Sequence, residues 1–259
     1  MNSLPDMLFV YIDTTSNAVF SKGLSPSDFV EGIVHQPDHL LLLDPAVDVG
    51  EFDTHSGLKV ITGKQAVNHF FTNKHFTQST ANKWIDFTNP ALLKELTPLE
   101  ISELLYFGHM RTHLHSPFFY KLQNNFVYFN LGSETLRVYY RYLDEFYRIL
   151  ANKITRIALE KVNDKRSFFR KGASVAHLDG EILKDLYPIF QEGAVFCFSQ
   201  AKLENKLYRV PIYLSDEKGW RKHQPTYKQD QKMGTLTYDI GRQKWSLSLE
   251  KDDLAFAFR

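Results

Sequence analysis

Apolar and β-branched side chains crowd residues 7–13, give way to Thr14-Thr15-Ser16-Asn17, and return at residues 18–21. That pattern predicts a strand, a turn and a returning strand. Ser25-Pro26-Ser27-Asp28 then offers a helix N-cap with proline in the first turn, and Phe29, Val30 and Ile33 follow at helical spacing. The same order recurs 117 positions on: Phe126-Val127-Tyr128 aligns with Phe9-Val10-Tyr11, Leu136 with Val19, and Asp144-Glu145-Phe146 with Ser27-Asp28-Phe29. The second helix, from Leu143 to about Val162, carries an apolar stripe of Phe146, Ile149, Leu150, Ile154, Ile157 and Ala158. Two related strand-strand-helix halves are one reading of this recurrence. Chance is the other, because the unit is common and the matches are short.

Between the two units, Leu40 to Asp44 reads as a buried strand, followed by a polar loop and a helix over residues 64–71. Trp84 to Phe87 is a short strand, and Thr97-Pro98-Leu99-Glu100 is a capping box opening a helix to about Met110. After residue 173, Leu178-Asp179-Gly180-Glu181 leads into one helix through Ile189 that ends at Gly193. Strands are expected at residues 194–200, 207–214, 234–240 and 244–250, the last two forming a hairpin about Gly241-Arg242-Gln243. Helices and strands mix without regular alternation, which predicts an α+β fold of antiparallel or mixed sheets. Residues 163–173 read as a hinge and 215–232 as a polar loop. The expected division is therefore an α+β domain over 1–162 and a smaller helix-plus-hairpin region over 174–259, packed on the first or separate from it.

Composition narrows the class. At 43% apolar and 24% charged, the chain is too apolar to remain disordered. Its 31 basic and 30 acidic side chains argue against a protein that coats nucleic acid. Cys197 is the only cysteine, so no intrachain disulfide forms, and its apolar neighbours Ala194-Val195-Phe196 and Phe198 make it a packing residue. The first residues lack a basic, apolar leader, and no apolar run approaches the ~20 residues of a membrane-spanning helix. A cytoplasmic protein without membrane contact is expected.

Charge is segregated although its total is nearly zero. Residues 1–60 hold nine acids against Lys22 and Lys59, whereas Lys161, Lys165, Arg166, Arg170 and Lys171 face only Asp164 between 161 and 171. Such asymmetry fits an interaction surface or attraction between the two halves. Phe168-Phe169 within that basic stretch, and the alternation Arg137-Val138-Tyr139-Tyr140-Arg141-Tyr142, have the cations and rings that suit single-stranded nucleic acid. The alternation fits equally a strand with Val138, Tyr140 and Tyr142 in the core and Arg137, Tyr139 and Arg141 outside. Protein is the favoured partner, contacted through Arg137, Tyr139, Arg141, Arg166 and Arg170, since the whole chain is not basic.

Two clusters carry possible metal chemistry. His109 and His113 would share a helix face at i,i+4 spacing, and His115 adds a third imidazole from the next turn, a set suited to zinc. Ser116-Pro117 bends the backbone out of helix there, and histidine also suits a helix C-terminus for reasons of charge alone. Asp44, Asp48, Glu51, Asp53 and His55 follow a strand end, with Asp13 from a neighbouring strand, and resemble in type the oxygen cages that hold magnesium. A solvated acidic loop has the same composition. No nucleophile elbow, phosphate loop or dinucleotide fingerprint is present.

The stretch Glu103-Leu104-Leu105-Tyr106-Phe107-Gly108-His109-Met110, with Ser116-Pro117-Phe118-Phe119-Tyr120-Lys121-Leu122, resembles a family of soluble bacterial proteins of unknown function. Some of its members carry the label "oxalate:formate antiporter". The resemblance covers about the first two thirds of the chain and implies no activity, and an antiporter requires membrane spans that this sequence lacks. Taken together, the sequence predicts a non-enzymatic protein-interaction module with no cofactor and no catalytic residue. A metal-dependent hydrolase or nuclease, using His109/His113/His115 or Asp44/Asp48/Asp53 with a divalent ion, is the alternative. Oligomeric state is not readable.

Overall fold

A computed structural model describes residues 5–44, 48–73, 76, 82–109, 121–122, 124–163, 174–216 and 226–250. The fold is α+β, with antiparallel strands. The chain divides into two compact units. The first comprises Met1–Thr14, Phe20–Leu24 and Asp144–Arg259, the second Thr15–Val19 and Ser25–Leu143. These are not the contiguous parts 1–162 and 174–259. The reason lies in strand pairing: β1 (Met7–Asp13) pairs antiparallel with β9 (Ala194–Cys197), Met7 opposite Cys197, so the chain's beginning joins its last third.

Both predicted strand-strand-helix units form. The first is β1, β2 (Ala18–Lys22) and α1 (Pro26–Gly32); the second is β7 (Phe126–Gly132), β8 (Thr135–Tyr140) and α4 (Leu143–Asn163). Their helices are exchanged between the units. Helix α1 belongs with β7 and β8, and α4, from Asp144 on, belongs with β1. At α1, Ser25 Oγ accepts from the Asp28 amide at 3.2 Å while Asp28 Oδ2 accepts from the Ser25 amide at 2.8 Å, the capping box that starts the helix.

In the second unit the strand order is β8, β7, β6 (Lys83–Phe87), β3 (His39–Leu42), β5 (Lys59–Thr62) and β4 (Glu51–Phe52). Strands β4 and β5 occupy what the sequence presents as a polar loop. Period-2 alternation places Trp84, Phe126, Tyr128 and Tyr140 on one face. There Phe29 of α1 packs edge-on to Phe126 at 5.3 Å, and Trp84 stacks on Tyr128 at 4.9 Å. Phe70 and Phe71 of α2 (Lys64–Thr72) join through Phe76. The opposite face, with Leu41, Ile85, Val127, Phe129 and Tyr139, is buried with Leu93, Leu96, Leu104 and Leu122. Leu104 comes from α3 (Pro98–His109), which opens on the predicted box, Glu100 Oε2 accepting from the Thr97 amide at 2.7 Å.

In the first unit the order is β13 (Lys244–Leu249), β12 (Tyr227–Asp239), β11 (Leu207–Ser215), β9 and β1, with β10 (Lys202–Glu204) on the free half of β11. The helix expected to run on to Gly193 is two, α5 (Gly180–Lys184) and α6 (Tyr187–Glu192). Pro188 explains the break, because it has no N–H and its ring would strike the Lys184 carbonyl. Gly193 does close α6, at φ 100 with its amide donating to the Ile189 carbonyl at 2.9 Å. Beneath β12 and β13, Trp245 Nε1 donates to the Ala176 carbonyl at 2.7 Å and the Ala176 amide donates to Tyr238 Oη at 2.9 Å. Among the described residues, no helix is long and apolar enough to cross a membrane. The hinge residues 164–173 and half of the loop, 217–225, lie outside the described set; residues 227–232, assigned to that loop from sequence, are strand.

Candidate functional site: a mixed-charge hollow on an open sheet face

Strands β11 to β13 bury one face and leave the other more open, β10 is exposed throughout, and the register shows which residues share each face. Across β11 and β12, Tyr208 opposes Tyr238 and Val210 opposes Leu236, all buried. Between them Arg209 opposes Thr237 and Pro211 opposes Thr235 on the open side, which β13 continues with Ser246 and Ser248. A hairpin through Asn205 and Lys206, both at positive φ, folds β10 back so that Lys202 lies directly opposite Arg209.

A bulge completes the face. Ile212 opposes Gly234 but Tyr213 opposes Lys232, so Met233 is an extra residue in β12. In regular pairing Met233 would oppose Tyr213 and Lys232 would turn to the buried side. The extra residue buries Met233 and brings Lys232 to the open face. Gly234 sits at this step because a Cβ there would lie 2.6 Å from the Ser248 carbonyl oxygen.

The result is a hollow of about 690 Å³ lined by Lys202, Arg209, Tyr213, Gln229, Lys232 and Thr235, among others. Tyr213 stacks on Tyr227 with ring centres 4.7 Å apart. A hydrogen-bond chain fixes the pair. Tyr213 Oη donates to Gln200 Oε1 at 2.7 Å, Gln200 Nε2 donates to Tyr227 Oη at 3.1 Å, and Tyr227 Oη lies 2.9 Å from Cys197 Sγ. Linked bonds of this kind polarise and stiffen one another. Burial, with the bond to Cys197, pushes the Tyr227 hydroxyl up to about 12, and burial also raises Tyr213. Both therefore stay neutral around pH 7. Cys197 is buried, as its apolar neighbours imply, and serves as the inner anchor of the chain.

Acids are interspersed with these cations. Glu204 Oε2 lies 4.0 Å from Arg209 and Glu250 Oε1 lies 2.9 Å from Lys232 Nζ. Exposed pairs such as these are worth about 0–1 kcal/mol and exchange partners readily. Two further hollows are less suited to a charged partner. One, of about 460 Å³, has walls of Val49, Val60, Ile61 and Phe70. In the other, of about 480 Å³, Lys184 is already held by Asp144 and Glu181, each at 2.7 Å.

The residues singled out from sequence are not gathered here. Tyr139, expected outside, is 2% exposed, while Tyr142, expected in the core, is 50% exposed. The expectation assumed that β8 has one open face, but both faces of that sheet are covered. Arg137 is half-buried and Arg141 is exposed, its guanidinium 5.8 Å from the Tyr142 ring. Arg166 and Arg170 lie outside the described residues, as do His113 and His115, and His109 ends α3. In the acidic loop, Asp53 Oδ1 accepts from the Ser56 amide at 2.7 Å and the Ser56 hydroxyl at 2.8 Å, and His55 Nε2 donates to the Leu96 carbonyl at 2.8 Å. Burial opposes charge on Asp53, but those hydrogen bonds outweigh it and hold its carboxyl below the usual value. Asp53 and His55 thus have structural partners, and no three His, Cys, Asp or Glu side chains among the described residues are grouped to hold a metal ion.

Sequence reasoning missed Lys202 and Lys232 because it missed β10 and the first half of β12. Asn205, which tolerates positive φ, was the available turn signal. It also missed Asp86, a buried carboxylate that accepts from the Phe126 amide and, at 2.9 Å, from the Asn125 amide. Desolvation pushes it up to about 7 against the pull of those bonds. Comparisons of the chain with protein-family models, with curated proteins and with solved structures returned no match.

Proposed function

We propose that this is a cytoplasmic, non-enzymatic protein-interaction module and that its partner docks on the open face of β10–β13. The observation that carries the reading is the mixed-charge hollow itself. Lys202, Arg209 and Lys232 line it together with Tyr213, which its stack on Tyr227 and its bond to Gln200 hold in place, and Glu204, Asp230 and Glu250 are close by in the same strands or at their ends. A nucleic-acid face needs a net excess of cations to displace phosphate counterions, and interspersed carboxylates work against it. Protein interfaces tolerate both signs and draw on Tyr and Arg as anchors. The hydroxyls of Thr235, Thr237, Ser246 and Ser248 add small hydrogen-bonding groups to a surface open enough for another chain.

A photo-crosslinking residue at the exposed Gln229, compared with one at Leu99 in the second unit, tests the reading in cells. The expected result is a discrete protein adduct from position 229 only, lost when Thr235→Trp fills the hollow in a variant of unchanged circular dichroism. No protein adduct at 229, the same adduct from 99, or an adduct with nucleic acid would overturn it.

A further inference from the structure

The register of β10 sets two cations against each other. Lys202 is the direct cross-strand neighbour of Arg209, and both line the hollow. Directly opposed like charges destabilise a strand pair. Glu204, two residues along β10 on the same face, reaches Arg209 only at 4.0 Å. No described residue forms an ion pair with Lys202. The neighbouring cation shows what this face accepts, since Lys232 holds the carboxylate of Glu250 at 2.9 Å.

We infer that the opposed pair Lys202/Arg209 is a carboxylate subsite, filled by an acidic side chain from an extended segment of the partner protein; this rests on the binding role proposed above. A carboxylate between the two strands would accept from the Lys202 ammonium and the Arg209 guanidinium together, converting a repulsive pair into a bridged one. The two cations sit on adjacent strands, and Lys232 lies directly opposite Tyr213, at the far end of the Arg209-Pro211-Tyr213 row. An extended chain with side chains alternating every second residue could therefore place one acid at the pair and a second near Lys232, displacing Glu250. Pro211 and its cross-strand neighbour Thr235 lie between those two positions, both lining the hollow, and would receive the intervening backbone.

Fluorescein-labelled octaglutamate, titrated into the full chain at low and at physiological salt, is the direct probe. Binding should weaken at least tenfold in Lys202→Ala and in Arg209→Ala, stay within threefold of the parent in Lys202→Arg, and fall with salt. Lys202→Ala should also raise the melting temperature slightly by removing the repulsion, so weaker binding cannot be attributed to unfolding. Absence of measurable octaglutamate binding, or binding indifferent to these variants, sinks the inference. Tighter binding of octathymidylate would assign the pair to nucleic acid, and complete competition by millimolar inorganic phosphate would make it a free-anion site; either result overturns it. If octaglutamate fails while the Gln229 adduct persists, protein binding stands and only the acidic nature of the partner is lost.

Discussion

Strands β7 and β11 read alike as apolar runs, yet their surroundings differ. In the second unit, Phe126 and Tyr128 of β7 meet Phe29 on one side, while Val127 and Phe129 lie in a leucine-rich core on the other. In the first unit, Tyr208, Val210 and Ile212 of β11 are buried on one side, while Arg209, Pro211 and Tyr213 line a hollow on the other. A sheet enclosed on both faces has its side chains committed to packing. One with an open face can afford charges, a bulge and a repulsive pair.

The sharpest test removes the centre of the enclosed sheet. Trp84→Ala should cost about 3–5 kcal/mol in urea unfolding, because the ring is fully buried against Tyr128 and Phe29. A cost below 1 kcal/mol would mean that the aromatic layer is not the core described here.

Next in size is the pH dependence set by Asp86. Burial pushes its carboxyl up to about 7 in the folded chain, well above the ordinary carboxylate range, so the folded state holds the proton more tightly. Its contribution to stability is therefore fully present below about pH 4 and is lost as pH rises through 7, on the order of 4 kcal/mol in all. The stability difference between the parent chain and Asp86→Asn should drift accordingly over that window, and a difference constant with pH would refute the assignment.

Smaller effects follow. Tyr128 Oη is buried with no hydrogen-bond partner among the described residues, so Tyr128→Phe should leave stability unchanged or raise it by up to about 1 kcal/mol. On the open face, Ser248→Ala should stay within about 0.5 kcal/mol, measured in the same urea titrations. A larger loss at 248 than at 84 would invert the contrast between the units.

Local signals were legible in the sequence where the chemistry was local. The Ser25/Asp28 and Thr97/Glu100 boxes, the Gly193 stop, the hairpin about Gly241 and the burial of Cys197 all lie where residue type and spacing place them. Pairings over long distance were not legible. Nothing near Met7 announces Cys197 as its neighbour, so the division into units could not follow from order along the chain. Tyr139 was misplaced for a related reason, because period-2 alternation reveals that a strand has two faces but not whether the second is covered. Lys232 reaches the site through the single extra residue Met233, and a bulge leaves no mark in the hydrophobic pattern.

The exchange of α1 and α4 between the units, together with the pairing of β1 with β9, bears on how the molecule is made. At 5–20 residues per second, the first strand leaves the ribosome on the order of ten seconds or more before its partner exists. Until then an apolar strand edge is exposed to other chains. Refolding of the finished polypeptide and folding during synthesis should accordingly differ in their dependence on chaperones. No single cut in the chain releases either unit intact.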